Sequence, residues 1–144
     1  MTSCNSLTDE KENAISLFKN KKEEFNALKK YLRSKYIIAN SDNKPRLIFI
    51  NCSDIKNRFI DQTCDDSVSI WMNSLNINQI NLEHDFHCKS DFNLNEINLR
   101  YNKSDYSPVF YYRYNFCVDT LNYYGDSVES EYLGDGWSLY IEKK

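Results

Sequence analysis

Both histidines of the chain and one of its five cysteines fall within six residues, Glu83-His84-Asp85-Phe86-His87-Cys88. Imidazole nitrogen and thiolate sulfur are the ligands zinc takes, and four such groups close a structural site. His84, His87 and Cys88 are therefore the candidate metal ligands, with Cys52 or Cys64 able to supply a fourth. The spacing His-x-x-His-Cys matches no known zinc module, and no C-x-x-C pair supports it. The plain alternative is two solvated histidines in an Asn/Asp-rich loop. Cys88 beside His87 also sets a thiol next to a base, but nucleophilic catalysis needs that pair and an orienting group to meet in space. No G-x-S-x-G elbow, G-x-G-x-x-G turn or G-x-x-x-x-G-K loop is present, which excludes those chemistries at motif level. Glu129 and Glu131 form a pair of carboxylates at i, i+2 of an expected strand. Such residues share a face, with Cα atoms about 6–7 Å apart. That separation suits acid–base work and equally suits plain solvation. No catalytic residue and no cofactor is assigned, and a non-enzymatic protein is expected.

A second group of residues points to recognition. Nine of the 11 tyrosines lie in residues 101–144. In a strand from Val109, Phe110, Tyr112, Tyr114 and Phe116 share one face, the better core face, and Tyr111 and Arg113 share the other. Tyr and Arg anchor protein interfaces because they bury area at low entropic cost and keep a polar handle. Residues 117–144 carry six acids and two bases, so the same region can steer a basic partner. The expected binding surface is Tyr111, Arg113, Tyr124, Glu129, Glu131 and Tyr140, with tyrosine anchors inside an acidic rim. Ordinary solubilising surface is the alternative.

The N-terminus bears on location. The chain shows neither a charged nor an apolar signal region, and as written it reads as cytoplasmic. Thr2-Ser3-Cys4, followed by polar Asn5-Ser6, resembles the junction of a bacterial lipoprotein signal with its mature chain. That resemblance spans only three or four residues. It implies a lipid on Cys4, a cell-envelope location, and membrane contact through that lipid alone. The inner cysteines Cys52, Cys64, Cys88 and Cys117 are even in number, so two disulfides are possible after export. Reduced thiols packed as small hydrophobes are the alternative. Eighteen asparagines among many Lys and Ile residues suggest an AT-rich bacterial or phage genome.

Composition bounds the class. A chain of 144 residues, 41% hydrophobic and 15% aromatic, with three Gly and two Pro, is neither disordered nor collagen-like. Its length fits one domain. No run of about 18 apolar residues occurs, and a net charge of −3 provides no global basic field for nucleic acid. The basic helix face at Lys21, Lys22, Lys29 and Lys30 lacks a base-reading element. The expected partner is therefore a protein, not nucleic acid.

The elements that must position these residues follow from periodicity. Residues 8–36 read as one long amphipathic helix. Thr8 is its cap, acids fill its first turn and bases its last, and Ile15, Phe18, Phe25, Leu28, Leu32 and Tyr36 form one stripe. Residues 1–7 form a disordered tail and 8–144 a single domain. Residues 40–45 read as a turn, 46–51 as a strand, 55–60 as a brief helix, and 68–72 as a strand. Residues 77–82 alternate like a strand within an Asn/Asp-rich stretch whose order is open. Further strands are expected over 97–101, 109–118, 127–133 and 137–141, the last two joined through Gly134-Asp135-Gly136. The fold class is α+β: the long helix packs on an antiparallel sheet of about five strands. Functionally this is a small bacterial binding or interaction domain, with a cytoplasmic immunity-type inhibitor of a basic toxin, or a metal-binding protein, as alternatives.

Overall fold

A computed structural model describes residues 6–35, 46–51, 62–63, 66–84, 94–101, 109–116 and 128–142. The elements are α1 (Ser6–Asn20), α2 (Lys22–Lys35), β1 (Arg46–Asn51), β2 (Gln62–Thr63), α3 (Asp66–Ser74), β3 (Ile77–His84), β4 (Leu94–Tyr101), β5 (Val109–Asn115), β6 (Val128–Gly134) and β7 (Trp137–Glu142). The seven strands form one sheet in the order β2-β1-β3-β4-β5-β7-β6. All neighbours are antiparallel except the short β2, which runs parallel to β1. The α+β class holds, with more strands than the five expected.

The long amphipathic stretch folds as two helices that meet at Lys21, and the first begins at Ser6, two residues before the expected cap. Backbone bonds Lys21 N–H to Leu17 O (2.9 Å) and Phe25 N–H to Lys21 O (3.1 Å) carry the ladder across the junction. No Gly or Pro causes the break, but the Lys21 side chain has a partner in another element. Its Nζ donates to the Ser74 carbonyl (2.8 Å) and hydroxyl (3.1 Å), and that hydroxyl donates to Glu24 (3.1 Å). A lysine on the last carbonyls of α3 offsets the negative end of that helix.

The apolar stripe nevertheless works as one surface. Ala14, Phe18, Phe25, Leu28 and Leu32 are buried against one face of the sheet, supplied by Ile80 and Leu82 of β3, Ile97, Leu99 and Tyr101 of β4, Phe110 and Tyr112 of β5, and Trp137, Leu139 and Ile141 of β7. Phe25 sits at the centre, 5.1 Å from Phe18, 4.7 Å from Tyr112 and 5.7 Å from Trp137 between ring centroids. These separations and tilts are those that aromatic quadrupoles favour. Tyr36 lies outside the described residues.

One expected strand is a helix. Residues 68–72 belong to α3, where Val68, Met72 and Leu75 are buried and Trp71 packs on Tyr31 at 5.3 Å. Positions 68, 71, 72 and 75 form a helical stripe, and Ile70 points outward, 68% exposed. Val, Ile and Trp favour strands locally, but packing overrides that preference. Asn76, at φ 54°, ends the helix in the left-handed region that Asn tolerates. Residues 77–84 of the Asn/Asp-rich stretch then form β3.

The closing hairpin is held to α2 by its turn. Gly134, Asp135 and Gly136 all have positive φ, and a Cβ on Gly136 would stand 2.7 Å from the Tyr114 ring, so glycine is required there. Lys22 pairs with Asp135 at 3.0 Å, and its hydrogen bond holds that carboxyl below the usual carboxylate range. Asn26 accepts from Trp137 Nε1 at 3.0 Å and donates to Asp135 at 3.4 Å. Lys29 lies over the Tyr114 ring at 4.2 Å. Three of the four lysines of the basic helix face, Lys21, Lys22 and Lys29, are thus engaged within the fold, and Lys30 stays exposed. The expected 40–45 turn and 55–60 helix lie outside the described residues.

Burial raises the Tyr112 hydroxyl well above its ordinary pKa, with Tyr101 adding to the rise. Its hydroxyl donates to the Ala14 carbonyl at 2.7 Å. Burial and then Glu10 raise Tyr101 likewise. In the unfolded chain tyrosine ionises near pH 10, while the native groups stay neutral. Stability is therefore complete below about pH 10 and falls as pH rises past it. Urea midpoints measured from about pH 8 upward should be level and then decline. Tyr112→Phe should lose about 1 kcal/mol at neutral pH and decline less steeply in base.

Candidate functional site

Alternation gives the sheet a second, polar face. Its rows follow from register: Asn81 pairs with Asn98, Asn98 with Arg113, and Arg113 with Ser138. Beside that row, Gln79, Arg100, Tyr111 and Tyr140 are paired in series, and on its other side Glu83 is paired with Glu96 and Glu96 with Asn115. Asn81, Glu96, Asn98, Tyr111, Arg113, Tyr140 and Glu142 line a cleft of about 250 Å³.

The cleft is organised around an ion pair whose carboxylate is buried and whose guanidinium is partly exposed. Glu96 is 3% exposed. Its two carboxylate oxygens accept from Arg113 and, at 2.8 Å, from Asn98 Nδ2. A buried charge persists only when paired and hydrogen-bonded, and Glu96 has both kinds of support. The Arg113 guanidinium also covers the Tyr140 ring at 4.5 Å, a cation–π geometry. Tyr111 is raised above its ordinary pKa by burial and by Glu142, with Arg100 opposing. Among the described residues four buried side-chain atoms lack hydrogen-bond partners, and two of them, Asn81 Oδ1 and Arg113 Nε, belong to residues that line the cleft.

The structure brings Tyr111, Arg113 and Tyr140 together; alternation over residues 109–116 implied only that Tyr111 and Arg113 share a face, and pairing with β7 adds Tyr140. It corrects the surface expected around them in two ways. Tyr140 is 7% exposed, so it forms the floor beneath Arg113 and is not an outward anchor. Glu129 and Glu131 lie on the other face: they pair with Ile141 and Leu139, which face the helices, and Glu131 meets Lys11 of α1 at 3.1 Å. The acids at the cleft are Glu96 and Glu142. The polar half of β4 placed Glu96, Asn98 and Arg100 on one face in the sequence, but nothing local showed which strands flank them.

Tyr124, His87, Cys88 and Cys4, with Cys52, Cys64 and Cys117, lie outside the described residues. His84 closes β3 in backbone register with Arg46 and Leu94, and its side chain lies outside the description too. Among the described residues no cluster of three His, Cys, Asp or Glu side chains is placed to hold a metal. No described helix is long and apolar enough to cross a membrane.

Arg113→Met would leave the Glu96 carboxylate buried beside Asn98 alone and should cost about 3 kcal/mol or more. Combining it with Glu96→Gln should recover most of that loss. Chemical denaturation of the two singles and the double measures the coupling. No protein-family model, curated protein or solved structure matches the chain.

Proposed function

We propose that this chain is a non-enzymatic binding domain that engages a protein partner through the cleft on the polar face of its sheet. The observation that carries this reading is the Glu96–Arg113 pair in the cleft, its carboxylate and the Tyr140 ring buried and the Arg113 guanidinium partly exposed. Such an arrangement is costly as pure structure, since apolar residues of similar volume commonly do as well or better. Rigid tyrosine and arginine side chains in a recess are the groups that dominate interface energetics. A volume of about 250 Å³ lies below the usual range for drug-sized ligands and suits one projecting group of a larger partner. Glu129 and Glu131 have no part in this cleft, so the reading does not depend on an acidic rim.

Capture from the native host with three baits tests the face. A protein retained by the wild-type chain and by Glu129→Lys, but lost at least tenfold by Tyr111→Ala with an unchanged melting temperature, is the expected result. Loss through Glu129→Lys with retention by Tyr111→Ala would overturn it in favour of an acidic surface on the helix side. Tethering to the cell envelope through Cys4 belongs to the same proposal and rests on the Thr2-Ser3-Cys4 sequence. Mass spectrometry of the chain from its host should then find an acylated Cys4 as the N-terminus. An intact Met1 would remove the tether.

A further inference from the structure

The charged residues that line the cleft are one base, Arg113, and two acids, Glu96 and Glu142. Arg113 and Glu96 offset each other as an ion pair, which leaves the net negative charge of the lining on Glu142. Glu142 of β7 pairs with Val109 of β5, and the next polar-face pair is Tyr140 with Tyr111. Glu142 and Tyr111 are therefore diagonal neighbours on adjacent strands, within reach of one bound group. Among the described residues nothing donates to the Glu142 carboxylate or pairs with it, and the Tyr111 hydroxyl has no hydrogen-bond partner. Both residues are partly exposed, and the oxygens of neither side chain are sealed from solvent, so an entering group meets them directly.

We propose that the cleft seats a basic side chain of the protein partner, its cationic head on the Glu142 carboxylate and its carbon stem along Tyr111. This rests on the binding reading above and names the group that is bound. Ammonium and guanidinium heads carry donors alone, and the Glu142 carboxylate and Tyr111 hydroxyl oxygen both accept. Lysine and arginine also carry long apolar stems that lie along apolar surface while the head stays polar, and the Tyr111 ring is such a surface. An ion pair on an open surface contributes little, because water competes for both charges. In a recess of about 250 Å³ beside a tyrosine ring less water competes, and the ring adds the attraction that Arg113 already has for Tyr140. A carboxylate would meet two acids in the lining, and a neutral amide would leave Glu142 without a counter-charge. Arg100 stands opposite Tyr111 on the β4 side and repels a cation there, which directs the head toward Glu142 on β7.

Carbon-13 NMR of the whole chain reads this through the Glu142 carboxyl and Tyr111 ring signals. The N-acetyl methylamides of lysine, arginine, norleucine and glutamate are titrated separately at matched concentration and ionic strength. The expected result is a saturable shift of both signals with the lysine or the arginine compound, and a response about fivefold weaker with the other two. The stronger of the two basic probes identifies the partner's side chain. Glu142→Gln should weaken the effect about fivefold with the melting temperature unchanged, and Glu129→Gln, outside the cleft, should leave it intact. Equal responses to lysine and norleucine compounds, or equal weakening by the two variants, would overturn the inference. So would the absence of a saturable response, which is also the result if Lys143 or Lys144 of the chain itself fills the seat. The wild-type titration decides the matter if Glu142→Gln does not fold. A partner captured by the wild-type chain and by Glu142→Gln, but lost by Tyr111→Ala, overturns the basic side chain alone. Failure of the Tyr111-dependent capture overturns the binding reading beneath it.

Discussion

The hydroxyl of Tyr112 donates to the carbonyl of Ala14 across 98 residues of sequence, inside a ring cluster made by Phe18, Phe25 and Trp137. A phenol can be buried this deeply only with its proton bonded. Carbonyls in a helix already accept from the ladder but keep a second lone pair, and Ala14, having no bulky side chain, lets the sheet approach that carbonyl. The position of α1 over β5 follows from this contact. Phe25 sits two helical turns beyond Phe18 and places α2 over β7. With both helices seated on these strands, one face of the sheet is closed, and Ile80, Leu82, Ile97, Leu99, Tyr101, Phe110, Tyr112, Trp137, Leu139 and Ile141 are committed to the core.

The other face inherits what remains. Strand alternation gives it Asn81, Glu96, Asn98, Tyr111, Arg113, Tyr140 and Glu142, and antiparallel register sets them side by side. The ion pair at its centre is diagonal: Arg113 lies directly opposite Asn98 and reaches Glu96 two residues away. Its charge is shared between a carboxylate on one side and an aromatic face on the other. On the helix-covered face, by contrast, the helices form ion pairs with the closing hairpin at the rim, at Glu131 and Asp135.

The amphipathic stripe from Ile15 to Leu32 was legible because helical period is a strong signal over many residues. The strands over 77–82, 97–101 and 109–115 were legible for the same reason at period two, the strand over 46–51 as a short apolar run, and the closing turn from its glycines. Residues 68–72 were not, since a five-residue segment carrying the strand-forming Val68, Ile70 and Trp71 has too little periodicity to separate helix from strand. The placement of Glu129 and Glu131 depended on pairing rather than on alternation. The β6–β7 register shifts between Tyr132 and Gly134, and a shift of one residue moves a whole strand's side chains to the opposite face.

By itself the sequence determined the α+β class, the apolar stripe of the N-terminal helices, and the separation of Tyr111 and Arg113 from Tyr112 and Tyr114. Each of these is a local consequence of spacing along one segment. Only the tertiary structure decided that the long helix breaks at Lys21, where a side chain reaches the end of α3. It alone decided that Tyr140 lies under Arg113, and that Glu96 and Asn81 share a cleft with them. Those facts belong to pairs of residues on different strands, and their distances are set by sheet order and register.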